Sequence, residues 1–201
     1  MTSQAPELLQ QARDGDAGAW GRLLESYTPY LTLLARVQIG RRLQGKVDPV
    51  DVVQETFLDA HRQSGNFRGT TEAELVTWLR RIMAGQLALM LRRYLGTQGR
   101  DVNLERELGA QLDQSSQDLD GGLIRTHSTP SMHASRREQA VLLATALGRL
   151  VEDQREVIIL RHLEGMTFGE VAQRMGRTEN SVYKLWMRAL ANLRKSMAGT
   201  S

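Results

Sequence analysis

Between Arg177 and Arg188 the chain carries Asn180, Ser181 and Lys184, with Tyr183 among them. Amide, hydroxyl, ammonium and guanidinium groups are the ones that hydrogen-bond phosphates and base edges in a DNA major groove. A second set, Asp51, Glu55 and Asp59, recurs every four residues, so the three carboxylates share one face of a helix, with Gln54 and Arg62 beside them. Such a face could hold a divalent ion, remain solvated, or dock on a protein partner; no histidine or further ligand cluster accompanies it. A third set combines Phe67, Trp78 and Tyr94 with Arg68, Arg80, Arg81, Arg92 and Arg93. Arginines track phosphates and aromatic faces stack on unpaired bases, which is what single-stranded DNA binding needs. Trp78 at helical spacing reads mainly as core, and Phe67 fits either role.

The elements that must position these groups follow from capping and periodicity. Thr167 and Glu170 have the spacing of a capping box. Phe168, Val171, Ala172 and Met175 then form one helical stripe, and Gly176 follows it where a left-handed residue is needed. Thr178 restarts a helix as N-cap, with Val182, Leu185, Trp186, Ala189 and Leu193 on its buried face. Ala172, Gly176 and Val182 supply in order the small crossing residue, the turn glycine and the branched anchor of a helix-turn-helix. An ordinary helical hairpin with a solvated basic face is the alternative on this stretch alone.

Upstream, Pro6 to Arg13 predicts a short helix, and Trp20, Leu23, Leu24 and Tyr27 a second. Thr28-Pro29 and Asp48-Pro49 each place an N-cap before proline at the first helical position. Val50, Val53, Phe57 and Ala60 are the expected buried side of the helix after Asp48. Residues 64–71 read as a loop and 72–95 as a long helix. Residues 96–132, rich in Gly, Gln, Ser, Asp and Thr, read as a linker, with Leu104, Leu108 and Leu112 hinting at one short amphipathic helix. Helices over 135–150 and 153–163 lead into the helix-turn-helix.

The expected fold is therefore all-α: two small helical domains, 1–95 and 133–201, joined by a flexible acidic linker over 96–132. Low aromatic content and the lack of alternating runs agree with this. Formal net charge is only +3, but its distribution is uneven. Residues 78–100 hold five arginines and no acid, residues 101–132 six acids against two arginines, and residues 161–201 seven basic groups against three acids. Two basic blocks separated by an acidic one suggest two nucleic-acid surfaces. There is no cysteine, the four histidines (61, 127, 133, 162) are scattered, and no glycine-rich phosphate loop follows a strand. Neither an enzyme, a cofactor nor a metal site is expected. The polar, acidic start of the chain is no signal peptide and no run approaches membrane-span length, so a soluble cytoplasmic protein is expected.

Taken together, residues 17–195 resemble a bacterial RNA polymerase sigma factor of the small, two-domain extracytoplasmic-function (ECF) group. DPVDVVQETFLDA resembles the region 2 helix that docks on the clamp helices of the largest core subunit. FRG followed by WLRRI resembles the promoter-melting and −10 segments, and residues 150–195 resemble region 4, which reads the −35 element. The resemblance implies core-polymerase binding by Asp48, Asp51, Gln54, Glu55 and Asp59. It implies −10 contacts by Asn66, Phe67, Arg68, Arg80, Arg81, Gly85, Gln86, Arg92 and Arg93, with an extruded base held near 66–71 and Gly85-Gln86. It implies −35 contacts by Thr167, Arg177, Thr178, Asn180, Ser181, Tyr183, Lys184 and Arg188. The linker acids Asp101, Glu105, Glu107, Asp113, Asp118 and Asp120 would lie in the basic cleft of the polymerase. Partners are then core polymerase (clamp helices and flap), promoter DNA and an anti-sigma factor, with no membrane. This chain departs from the family pattern at Met83-Ala84-Gly85, where many members carry an asparagine, and at Leu150-Val151, where many have Leu-Pro. The alternative reading is a stand-alone helix-turn-helix regulator with an N-terminal effector or dimerisation domain, which leaves DPVDVVQETF unexplained.

Overall fold

The computed structural model describes residues 5–42, 47–95, 102–122 and 133–198, and every described regular element is helical. Arg100, Asp101, His127 and the remainder of the linker at 96–101 and 123–132 lie outside the described residues. The chain divides into two compact units, residues 2–114 and residues 115–201.

In the first unit, α1 (Ala5–Arg13) ends at a break where Gly15 takes φ 100°. Asp16 then caps α2 (Ala17–Ser26), its carboxylate accepting from the Gly18 and Ala19 amides at 2.8 and 3.0 Å. α3 (Thr28–Arg42), α4 (Pro49–Arg62) and α5 (Glu72–Leu95) follow. Asp48 accepts from the Val50 amide at 2.8 Å and Pro49 opens α4, the capping expected from sequence. Tyr27, Tyr30, Leu23, Leu31, Leu34, Leu75, Leu79, Met83 and Leu87 are fully buried and make the core. The Tyr27 hydroxyl donates to Glu72 at 2.6 Å, joining the end of α2 to the start of α5; burial first, and then the Glu72 carboxylate, push the phenol pKa well up.

Two expectations change here. The buried side of α4 is Val52, Val53, Thr56 and Ala60, not Val50, Val53, Phe57 and Ala60. Val50 is 46% exposed and Phe57 only half-buried. The helix is rolled because Thr56 can turn inward: its hydroxyl donates to the Val52 carbonyl at 2.7 Å, so burial leaves no polar atom unpaired. Within the stretch expected as linker, α6 is a helix of 21 residues, Val102–Gly122, rather than a short one. Leu108 and Leu112 are buried on it, Gly109 lies against Ala84, and Asp113 pairs with Arg80 of α5 at 2.8 Å.

The second unit contains α7 (His133–Gly148), α8 (Glu152–Ile158), α9 (Phe168–Met175) and α10 (Glu179–Ala198). Its core is Leu143, Leu147, Val157, Ile158, Leu160, Leu163, Val171, Val182, Leu185, Ala189 and Leu193. The helix expected to run on to Leu163 becomes a π-helical turn over Ile159–Leu163. This wider turn brings Ile159, Leu160 and Leu163 to the core and leaves Arg161 and His162 half-exposed towards α9 and α10.

Candidate nucleic-acid interface

α9 and α10 form the helix-turn-helix. The Thr167 hydroxyl accepts from the Glu170 amide while the Glu170 carboxylate accepts from the Thr167 amide at 2.7 Å, a complete capping box. Gly176 takes φ 62° and ψ 36°, a left-handed residue that lets the Arg177 amide reach back to the Ala172 carbonyl at 2.9 Å. Thr178 then caps α10, accepting from the Ser181 amide at 3.3 Å. The hydroxyls of Thr167 and Thr178 are thus spent on helix starts; their part is to position the pair. Val182, Leu185, Ala189 and Leu193 are buried, which turns Asn180, Tyr183, Lys184 and Arg188 outward and leaves Ser181 at the margin. Arg177 is also exposed and is bonded to Asp153 of α8.

The α4 face is presented just as openly. Asp51, Gln54 and Glu55 are exposed, and Val50 and Leu58, 46% and 49% exposed, stand among them at i−4 and i+4 from Gln54. Asp48 and Asp59 differ: the first serves as cap, and the second accepts from Arg62 at 3.1 Å and from Gln86 of α5. Among the described residues no group of three His, Cys, Asp or Glu side chains is placed to hold a metal ion.

The loop before α5 is built tightly. Glu74 accepts from the amides of Thr70 and Thr71 at 2.8 and 3.0 Å and from the Thr71 hydroxyl at 2.8 Å; these bonds hold its carboxyl below its usual pKa. Phe67 packs at a tilt into a triad with Trp20 and Trp78, centroids 5.9 and 5.1 Å away. A Cβ on Gly69 would lie 2.4 Å from the Phe67 ring, so only glycine lets the ring fold over the loop. Beside the triad is a cleft of about 510 Å³ lined by Trp20, Phe67, Arg13, His61, Ser64 and Arg68, among others. Asn66 is exposed in the same loop.

The family model for Sigma-70, region 4 matches residues 140–193. A curated relative, the ECF RNA polymerase sigma-E factor of Haemophilus influenzae, is 31% identical over 175 residues, covering 87% of this chain and 84% of that protein. The chain belongs to the ECF RNA polymerase sigma factors. A second member, BldN of Streptomyces coelicolor, is 27% identical over 93% of this chain and 63% of its own length. The solved structure of CnrH in complex with the cytosolic domain of CnrY matches at 26% identity and TM-score 0.35, over 99% of this chain and all of that one.

Within this sigma factor one member of the −10 set, Arg80, is turned away from the surface. Arg80 is only 9% exposed and faces inward, bonded to Asp113 at 2.8 Å and to the Tyr30 hydroxyl at 3.2 Å. Burial alone would pull its pKa down, but Tyr30 and Asp113 more than offset that. Arg80 is therefore a structural cation here, not part of the exposed surface. Arg81 and Arg93 are exposed and Arg92 half-buried. Gly85 lies under Glu105 of α6, and Gln86 donates to Asp59 of α4. Sequence reasoning missed Trp20, Gly69 and Glu74 as the parts that shape this loop. The FRG triplet was the available signal for Gly69.

His162, one of the four histidines scattered in the sequence, has a structural role. Its Nε2 accepts from the Trp186 indole at 2.9 Å, the two rings nearly parallel at 6.0 Å. Arg161 caps the Phe168 ring at 5.0 Å, and Phe168 packs edge-on against Trp186 and Tyr183. Burial and then the Arg161 charge lower the His162 pKa. Protonation would remove the acceptor that Trp186 uses. With the folded value depressed, the unfolded chain binds the proton more readily. The stability contributed is therefore full above the unfolded value of about 6.5 and is lost as pH falls through the folded one. Thermal melts between pH 5 and 7.5 should show stability declining with acid, and His162→Gln should flatten that decline.

Proposed function

We propose that this chain is the sigma subunit that binds core RNA polymerase and directs it to promoters, with the first unit as region 2 and the second as region 4. The observation that carries the reading is the pair of open faces on one chain. α10 presents Asn180, Tyr183, Lys184 and Arg188 away from its core, and α4 presents Asp51, Gln54 and Glu55 with Val50 and Leu58 between them. Apolar side chains interleaved with carboxylates suit a docking face better than a solvated one.

In this reading α10 enters the major groove of the −35 element, where each well-read base pair contributes about 1–3 kcal/mol of discrimination. Arg68, Arg81 and Arg93 follow the phosphates of the opened −10 strand. An extruded base enters the cleft bounded by Trp20 and Phe67, which offsets the few kcal/mol that flipping costs. The role of this subunit is positional, so the reaction it starts is the polymerase's own. The acidic segment that includes α6 faces the basic cleft of the polymerase, with an anti-sigma factor as the regulatory partner and the cytoplasm as the site of action. Among the described residues no helix is long and apolar enough to cross a membrane.

The test is selection of forked promoter fragments from a randomised library, with and without bacterial core polymerase. The reading expects a two-element site enriched only with core. Tight duplex binding without core, unchanged in Asp51→Ala and Glu55→Ala, would instead establish a stand-alone regulator.

A further inference from the structure

The outward face of α10 is not uniformly polar. Tyr183 and Met187, one helical turn apart, are 48% and 49% exposed. Met187 lies at i+7 from Asn180 and i+3 from Lys184, so it shares the face of the side chains already assigned to DNA. Arg188 follows it, and Ala191, also exposed, stands one turn on. The surroundings exclude a cationic partner: α10 carries Lys184, Arg188, Arg194 and Lys195 against a single acid, Glu179 in its first turn. An apolar spot ringed by cations fits a polyanion that offers apolar groups of its own. In a major groove those groups are the C5-methyls of thymine.

The two side chains suit that contact in different ways. The Tyr183 ring is fixed by Phe168 at 5.5 Å and Trp186 at 5.7 Å, and Trp186 is in turn anchored by His162. Met187 is unbranched and polarizable, able to settle on a methyl without a fixed socket.

We propose that Met187, with Tyr183 beside it, is a specificity-determining residue that packs on thymine methyl groups of the −35 element and so sets a preference for thymine there. The proposal rests on α10 being the −35 reading helix. Asn180, Lys184 and Arg188 read or anchor the flanking positions.

The test takes a promoter fragment selected by the wild-type holoenzyme and replaces thymidine by deoxyuridine at one −35 position at a time, which removes only the methyl. At the contacted position wild-type holoenzyme should lose about fourfold in affinity per methyl. Met187→Gln, at an exposed site where the fold tolerates the change, should be indifferent to that replacement. Uniform indifference of the wild-type protein to deoxyuridine, or an undiminished loss in Met187→Gln, overturns the proposal. So does a Met187→Gln protein that fails to assemble with core polymerase while its thymine preference is intact, which would make the face a protein contact. Failure of the wild-type holoenzyme to select any −35 sequence would overturn the promoter reading itself, a result separate from the other three.

Discussion

Reversing charge at Asp51 and Glu55 together, to lysine, should lower affinity for core polymerase by about a hundredfold and eliminate core-dependent promoter selection. Both carboxylates are exposed on α4, while its core side is held by Val52, Val53, Thr56 and Ala60. Folding therefore does not depend on them, and helical content and thermal stability should stay close to wild type, as for surface changes generally. If the carboxylates dock against cations of the polymerase, lysines there create a like-charge juxtaposition that costs several kcal/mol, which is the origin of the hundredfold estimate. Val50 and Leu58 sharpen the expectation. Exposed at the same face, they would be buried by a docked partner, so Leu58→Ala should weaken core binding without any change in charge. Titration of fluorescent variants with core polymerase reads both effects. Equal affinities for wild type and the double lysine variant would remove α4 from the interface.

The second large effect is expected from Trp20→Ala. Trp20 is 7% exposed and contacts both Phe67 and Trp78 at 5.9 Å. Removing a buried indole costs about 3–5 kcal/mol through lost burial and the cavity left behind. The functional loss should exceed what stability alone explains, because Phe67 loses one of its two aromatic neighbours and the 64–71 loop loses its floor. At a temperature where the variant is still folded, binding to a −35 duplex together with core should persist while capture of the −10 strand fails. Trp20→Phe, which retains an aromatic ring, should recover much of both. A Trp20→Ala protein that captures the −10 strand normally would show that the triad is structural only.

What the sequence made legible was local. The capping box at Thr167 and Glu170, the turn at Gly176 and the stripe through Val182 and Leu193 each depend on residues within a turn or two of one another. They stand as expected except at Trp186, which is half-buried rather than part of the buried face. The rotation of α4 was less legible, because Val50, Val52, Val53 and Phe57 allow two apolar stripes and only packing against α3 and α5 chooses between them. Thr56 looked polar, and its back-bond to Val52 hid it from a hydrophobic count. Arg80 shows the same limit for the site. An arginine in a basic run reads as a DNA contact until a carboxylate 33 residues away and the Tyr30 hydroxyl claim it. α6 was obscured by composition, since Gly, Ser, Gln and Asp mark linkers, although Leu108 and Leu112 form one buried ridge.

The most direct test of the central claim is permanganate reactivity of thymines on a supercoiled plasmid carrying the selected promoter. With core polymerase and this protein together, thymines of the −10 element should become reactive. With either component alone they should remain protected. Reactivity induced by the protein without core, or none when both are present, would contradict its assignment as the subunit that opens promoters for the polymerase.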